Sequence, residues 1–422
     1  MSLAKVRSVA LKGIEGIPVD VEVDIGSGLP AFNILGLPDA AVQEARERVR
    51  AAIKNAGFEF PLRRITVNLA PADVGKEGPI YDLPIAVAVL VASGQIIDQF
   101  QDAALVGELS LDGRLRHVAG VLPVVAMCRQ EGIASVVVPQ EDTAEAGLVG
   151  GVQVRGVETL TQLKQPPADW PQPLPPVEGE ATAFGHDLSM VQGQEHVKRA
   201  LDVAAAGGHN ILMQGPPGAG KTLLARSLPG LLAPLTPTEA IEVSKVHSVA
   251  GMLSREHPML RERPFRSPHH TISHAGLVGG GSQIRPGEVS LAHRGVLFLD
   301  EFPEFSTNAL ESMREPLESG AVTISRARVT EARERPAARL AGTPYVTNSE
   351  MGPLEVRKFC QEALVPAAEP LLAGAMQQLG LSARAFHRVL KVARTVADLG
   401  GSDRIETVHL AEAIQYRRRG AD

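Results

Sequence analysis

Cysteine and aromatic side chains are scarce in this chain of 422 residues, which has two Cys, one Trp, three Tyr and 4% aromatic residues overall. Cys128 and Cys360 lie far apart in sequence and suggest no disulfide framework, which fits a reducing compartment. No apolar run approaches the roughly 20 residues of a membrane span. The first residues, Met1-Ser2-Leu3-Ala4-Lys5-Val6-Arg7, are not followed by the long apolar stretch of a signal peptide. The expectation is a soluble, cytoplasmic protein with no membrane partner. A strong net charge is also missing. At −6 the chain has no global electrostatic footprint for nucleic acid, so any DNA contact must come from local basic surface. The remainder is ordinary for globular protein, with 44% hydrophobic and 21% charged residues, enough for two or three domains.

The most specific stretch is Gly215-Pro216-Pro217-Gly218-Ala219-Gly220-Lys221-Thr222. The apolar run Asn210-Ile211-Leu212-Met213 predicts a strand leading in, and Leu223-Leu224-Ala225-Arg226-Ser227-Leu228 predicts a helix leading out. Strand, G-x-x-x-x-G-K-T loop and helix in that order form the context of a phosphate-binding P-loop. Its glycines let consecutive N–H groups point at phosphate oxygens, and the helix N-terminus adds partial positive charge. ATP with Mg²⁺ is the expected ligand. Lys221 would neutralise the β- and γ-phosphates, and the Thr222 hydroxyl would ligate the metal. Gly295-Val296-Leu297-Phe298-Leu299-Asp300-Glu301, about 80 residues on, reads as the matching Walker B strand. It would bring Asp300 to the Mg²⁺ shell and Glu301 to the attacking water as general base. His269, His270 and His274 fall between the two motifs, but no Cys or second ligand cluster accompanies them, so they do not predict a metal site.

Four stretches organise the chain. About residues 1–163 mix strand and helix patterns. Ile17–Asp24 alternates apolar with acidic residues at the period of a half-buried strand, and Asp39 precedes an amphipathic helix over Ala40–Ile53. Further strands are predicted at Ile65–Leu69, Ser135–Pro139 and Val152–Val157, and an apolar helix over Leu83–Ala92. Arg46, Arg48, Arg50 and Lys54 read as a solvated helix face. Residues 164–184 form a Pro-rich connector, with Trp170 expected to pin it against a domain. Residues 185–348 form the P-loop domain. In residues 349–422, Ser382 predicts the N-cap of a helix over Ala383–Leu399, and Thr407–Arg418 a last helix with a basic end at Arg417-Arg418-Arg419.

Two resemblances follow from these residues. Asn68–Asp73, Lys76-Glu77-Gly78-Pro79 and Gly107–Gly113 resemble the Lon-protease-type domain of the S5 superfold. That family's Ser follows a Gly-Pro pair, whereas here Ile80 does, and Val118–Leu122 offers no Lys where the family places its base. A Ser-Lys dyad needs both groups in hydrogen-bond contact, so proteolysis is not expected. Pro264–Gly281, Pro286–His293 and Ser248–Leu253 resemble the magnesium-chelatase-like AAA+ branch, and nearly the whole chain resembles the YifB/ComM family.

The resemblance implies an α/β chain, with an S5/Lon-like domain, an AAA+ domain on a parallel sheet and a helical lid. It further implies an ATPase forming a hexameric ring, and a helicase that acts on single-stranded or branched DNA to promote branch migration in natural transformation. Gly380–Phe386 resembles the sensor-2 run of AAA+ lids, which makes Arg384 the expected γ-phosphate contact. One family segment is missing. Where the family has a strand with the sensor-1 Asn, a Cys-rich loop and the arginine finger, this chain passes from Ala327 straight to Arg328–Arg335. Asn348, the nearby Asn, lacks the matching flank. Two other readings stay open: a protein-remodelling or chelatase-type motor, and an ATP-binding scaffold with impaired hydrolysis.

Overall fold

The computed structural model describes residues 2–175, 188, 191–216, 218–280, 285–306, 335–379 and 381–416. The junction from Ala327 to Arg328, Pro217 and the basic end Arg417–Arg419 all lie outside these. The chain forms two compact units. One comprises residues 1–180, 237–260 and 281–286, and the other residues 181–236, 261–280 and 287–422.

The first unit is built on a mixed seven-stranded sheet. In chain order its strands are β1 (Ser2–Lys12), β2 (Glu15–Gly26), β3 (Ala31–Leu35), β4 (Arg64–Ala70), β5 (Ala103–Leu105), then Ser135–Pro139 and Gln153–Val157. A short hairpin, β6 (Glu108–Leu109) and β7 (Leu115–Arg116), stands apart, so the last two sheet strands are β8 and β9. The spatial order is β3-β4-β2-β1-β5-β8-β9. β1 and β2 pair antiparallel from Ser2↔Ile25 to Lys12↔Glu15. Along β2 the alternation works as expected: Val19, Val21, Val23 and Ile25 are buried, while Asp20, Glu22 and Asp24 face the other side.

Helix α1 (Ala40–Asn55) starts where Asp39 accepts the Val42 N–H at 2.8 Å, and it buries Val42, Ala45, Val49, Ala52 and Ile53. Helix α2 (Asp82–Ala92) is buried almost all round, because α1 packs on one side and β1 and β2 on the other. Helix α3 (Val121–Gln130) and the short α4 (Thr143–Ala146) complete the layer. The Pro-rich strap begins on this core. Trp170 is buried, its ring lies 6.2 Å from Phe100, and its indole N–H donates to the Gln165 carbonyl at 3.2 Å.

One segment joins this unit from between the P-loop and the Walker B run. After α5 (Glu195–Gly207) and α6 (Lys221–Leu231), helix α7 (Pro237–Val249) packs on α3. The Gly120 N–H donates to the Ser248 carbonyl at 3.0 Å, and the Ser248 hydroxyl donates to Glu145 at 2.6 Å. The expected single stretch 185–348 is therefore divided between the units. Burial of Ala240, Val243 and Val246 on the face of α7 is the physical reason.

Among the described residues of the second unit, parallel pairing joins β10 (Phe265–Arg266) to β11 (Val296–Leu297), extended by Val296 N–H to Pro264 and Phe298 N–H to Arg266. Gly295 is needed at this close approach, since a Cβ there would fall 2.0 Å from the Pro264 carbonyl oxygen. A short helix, α8 (His274–Val278), precedes α9 (Glu288–Leu291), whose Glu288 takes a bidentate pair from Arg266 at 2.6 and 2.7 Å.

The C-terminal helices are α10 (Pro353–Val356), α11 (Glu369–Leu379), α12 (Ala383–Leu399, N-capped by Ser382) and α13 (Thr407–Gln415). Their core includes Leu340 and Met351 with Val389, Leu390 and Ala393, so it begins ahead of residue 349.

Candidate nucleotide site

The loop stands as the spacing predicts at its helical end. Gly220 caps α6 with φ 78°, a left-handed conformation that glycine adopts at no steric cost, and the Leu224 N–H returns to its carbonyl at 2.9 Å. Gly218 also has φ 78°. Lys221 folds back over the loop, its Nζ donating to the carbonyls of Gly215 at 2.9 Å and Pro216 at 3.0 Å. Ala219 accepts from the Gln194 side chain at 3.0 Å, a clamp on the loop that sequence reading missed. Gln194 itself caps α5 with φ 56°, and no periodic pattern signals such a residue.

The second motif meets the first. The Thr222 hydroxyl donates to Asp300 Oδ2 at 3.1 Å, joining residues 78 positions apart. Asp300 Oδ1 accepts the Glu301 N–H at 3.0 Å. Glu301 has φ 52° and ψ 44°, and its carboxylate lies 3.2 Å from His270 Nδ1. The His270 ring packs 4.1 Å from that of His269. His270 was not foreseen as a neighbour of Glu301. The signal available was its place shortly before the Walker B run. Among the described residues no cluster of three His, Cys, Asp or Glu is arranged to hold a metal ion on its own.

A hydroxyl and a carboxylate converging at this distance are the hard oxygen donors that Mg²⁺ favours, and the lysine reaches the loop mouth, so these residues fit Mg-ATP. Bound Mg²⁺ would supply charge neutralisation on the phosphates.

Two expectations fail here. Asn210–Met213 is no strand: it pairs with no strand among the described residues, and Leu212 is 59% exposed. Ile211 and Met213 do pack against Leu201, Leu224 and Val296, so only one side of the run is covered. A central parallel strand needs neighbours on both edges to pair its N–H and C=O groups and to cover both faces. The predicted buried Walker B strand is likewise cut to Val296–Leu297, and Asp300 and Glu301 follow as a turn.

The lid residues fall into two groups. Arg384 stands exposed in the first turn of α12. Asn348 is fully buried in a polar network of the lid. It donates to Asp398 at 2.8 Å and to Thr395 at 3.2 Å, while Asp398 also takes two bonds from Arg339 and one contact from Arg394 at 3.1 Å. His209, just ahead of Asn210, reaches Thr395 at 2.9 Å, and burial holds its imidazole neutral with a pKa near 4. Thr395 gives its own proton to the Lys391 carbonyl, so the His209 Nε2–H is the donor to its oxygen.

Ile80 is buried where the nucleophile would stand. Lys76 is fully buried, donates to the Pro71 carbonyl, and is pushed below its usual pKa by that burial. Arg48, expected on a solvated face, instead grips buried Asp82 at 2.8 and 3.0 Å.

Comparison with known sequences accounts for this architecture. The profile for magnesium chelatase, subunit ChlI, matches residues 187–339, that for subunit ChlI of Mg-chelatase matches 21–142, and the ChlI C-terminal profile matches 320–417. The chain is 38% identical to the protein YifB of Escherichia coli over 500 positions, covering 99% of this chain and 97% of the relative. It is equally identical to the competence protein ComM of Haemophilus influenzae, covering 99% and 98%. The chain belongs to the YifB/ComM family.

The family joins a Lon-like domain to a magnesium-chelatase-like AAA+ ATPase, a class that uses nucleotide and Mg²⁺. A 27% match with the Lon protease of Mycolicibacterium smegmatis, over 167 residues, agrees with the first of these. The protein Rv2897c of Mycobacterium tuberculosis is 48% identical over 334 positions, covering 77% of this chain, and the chain spans only 66% of that relative's length. Among the described residues no helix is long and apolar enough to cross a membrane.

Proposed function

We propose that this chain is a Mg-ATP-dependent motor that acts on DNA, of the kind that promotes branch migration during recombination, and that it works in the cytoplasm as a ring of six copies. The observation that carries the ATPase half is the Thr222–Asp300 hydrogen bond beneath Lys221, which brings the two phosphate-site motifs together. Lys221 and Thr222 hold phosphate and Mg²⁺, Asp300 completes the metal shell, Glu301 orients and deprotonates the attacking water, and Arg384 reaches the γ-phosphate. The DNA half is supported by kinship with a protein named for competence.

A second reading, a nucleotide-binding scaffold without turnover, has its own support. About 418 residues of this chain are spread over the 500 positions aligned with YifB, so about 80 positions of the alignment have no counterpart here. Ile211–Met213 pairs with no strand among the described residues, as loss of a neighbouring strand would leave it. An arginine finger is worth about 10³–10⁵ in rate, so its loss would stall hydrolysis while leaving binding intact.

Steady-state ATP hydrolysis with and without single-stranded and branched DNA, with Glu301→Gln as blank, separates the two. DNA-stimulated turnover that the substitution abolishes is the expected result. Wild type matching the blank while still binding ATP would overturn the motor and leave the scaffold.

A further inference from the structure

We propose that the outer face of α1 is a track for a single strand of DNA, formed by Arg46, Arg50 and Lys54, with Lys164 at the helix end and the Phe60–Phe32 pair alongside. The proposal deepens the DNA reading above and rests on it. The three helix cations recur every fourth residue, so they stand in one row about 6 Å apart. All three are exposed, and none takes part in an ion pair among the described residues. Like charges four apart disfavour a helix, so the spacing of the row does not itself stabilise α1. The helix dipole favours Lys54, in the last turn, but not Arg46 or Arg50 further up.

The acids of the helix leave the row bare. Glu44 turns to Arg48 at 3.7 Å, and Glu47 pairs with neither arginine. Arg48 itself is drawn into the core by Asp82, so the structure sorts one structural cation from three outward ones. Lys164 adds a fourth, its Nζ donating to the Gly57 carbonyl at 3.3 Å beyond the end of α1 and lying 4.4 Å over the Phe58 ring. The Arg50 guanidinium lies 5.8 Å over Phe60, whose ring meets Phe32 at 5.4 Å. Phe60 and Phe32 are only half-buried. Cations to follow the backbone and ring faces to receive bases are the components of a single-strand groove. An acidic protein partner would use the charges and leave the rings idle.

The test is fluorescence anisotropy of the full chain with a labelled 20-nucleotide oligo-dT over a salt series, for wild type and for the triple variant Arg46→Ala, Arg50→Ala, Lys54→Ala. Three lost phosphate contacts should weaken binding at least ~10-fold at 0.15 M salt and flatten the log K against log salt slope by about 2. Unchanged Trp170 fluorescence melting and unchanged ATP affinity show that the variant is folded. A variant with wild-type affinity and slope overturns the track and spares the DNA reading. Wild type with no affinity for the strand overturns both, and equally tight binding of poly-glutamate overturns the nucleic-acid assignment.

Discussion

Thr222 and Asp300 are 78 residues apart, and the hydroxyl of the first donates to the carboxylate of the second at 3.1 Å. That contact fixes which end of the Walker B run faces the P-loop. Replacing Thr222 by Val keeps the shape and removes the hydroxyl. The expected outcome is ATP binding that no longer gains from added Mg²⁺, with the Mg²⁺-linked part of affinity falling ~10-fold or more. Titration of nucleotide with and without the metal checks it.

Glu301 follows Asp300 directly in the chain, and its carboxylate lies 3.2 Å from His270 Nδ1. Glu301→Gln keeps the size and a polar end, so nucleotide affinity should stay within about threefold while turnover falls by roughly 10²–10⁴. Single-turnover hydrolysis beside equilibrium binding measures the two effects separately.

The α7 contact makes the first unit sensitive to pH. Burial pushes the Glu145 carboxyl up to about 7, against the Ser248 hydroxyl and the Leu122 N–H that favour its charged form. Burial also raises Asp142, and the Asp142 carboxylate raises His117. All three groups hold protons more tightly when folded. Their stabilisation is therefore complete below the unfolded values and is lost as pH rises through the folded ones. Between pH 5 and pH 8.5 the first unit should lose stability, Glu145 alone accounting for up to about 3 kcal/mol. The chain's only Trp, Trp170, reports this unit's melting, and Glu145→Gln should remove most of the slope.

Asp398 is the hub of the lid. It takes Arg339 at 2.6 and 3.0 Å, Asn348 at 2.8 Å and Arg394 at 3.1 Å, and it is only 3% exposed. Asp398→Ala leaves a buried guanidinium without its counter-charge and should cost about 3–5 kcal/mol. Denaturant unfolding followed by far-ultraviolet circular dichroism tests it. A loss under 1 kcal/mol would mean that water replaces the carboxylate.

Local pattern made much of this legible. The alternation of β2, the cap at Asp39, the stripe of α12 and the spacing from Gly215 to Thr222 each follow from a short stretch of chain. What stayed hidden depends on partners distant in sequence. Ile211–Met213 has the composition of a strand but pairs with none among the described residues, so its pattern alone did not decide its pairing. Arg48 looks like its neighbours on α1 until Asp82, 34 residues on, claims it. His270 and Gln194 reach the site through single side-chain contacts that carry no periodicity. The docking of α7 also brings Ser248 to Glu145 of α4, 103 residues back.

The most direct measurement is calorimetric titration of the full chain with a slowly hydrolysed ATP analogue and Mg²⁺, for wild type and Lys221→Ala. Micromolar, Mg²⁺-dependent binding, weakened ~10-fold or more by the substitution, is the expected result. Binding that is absent in wild type, or indifferent to Lys221, would contradict the nucleotide site itself.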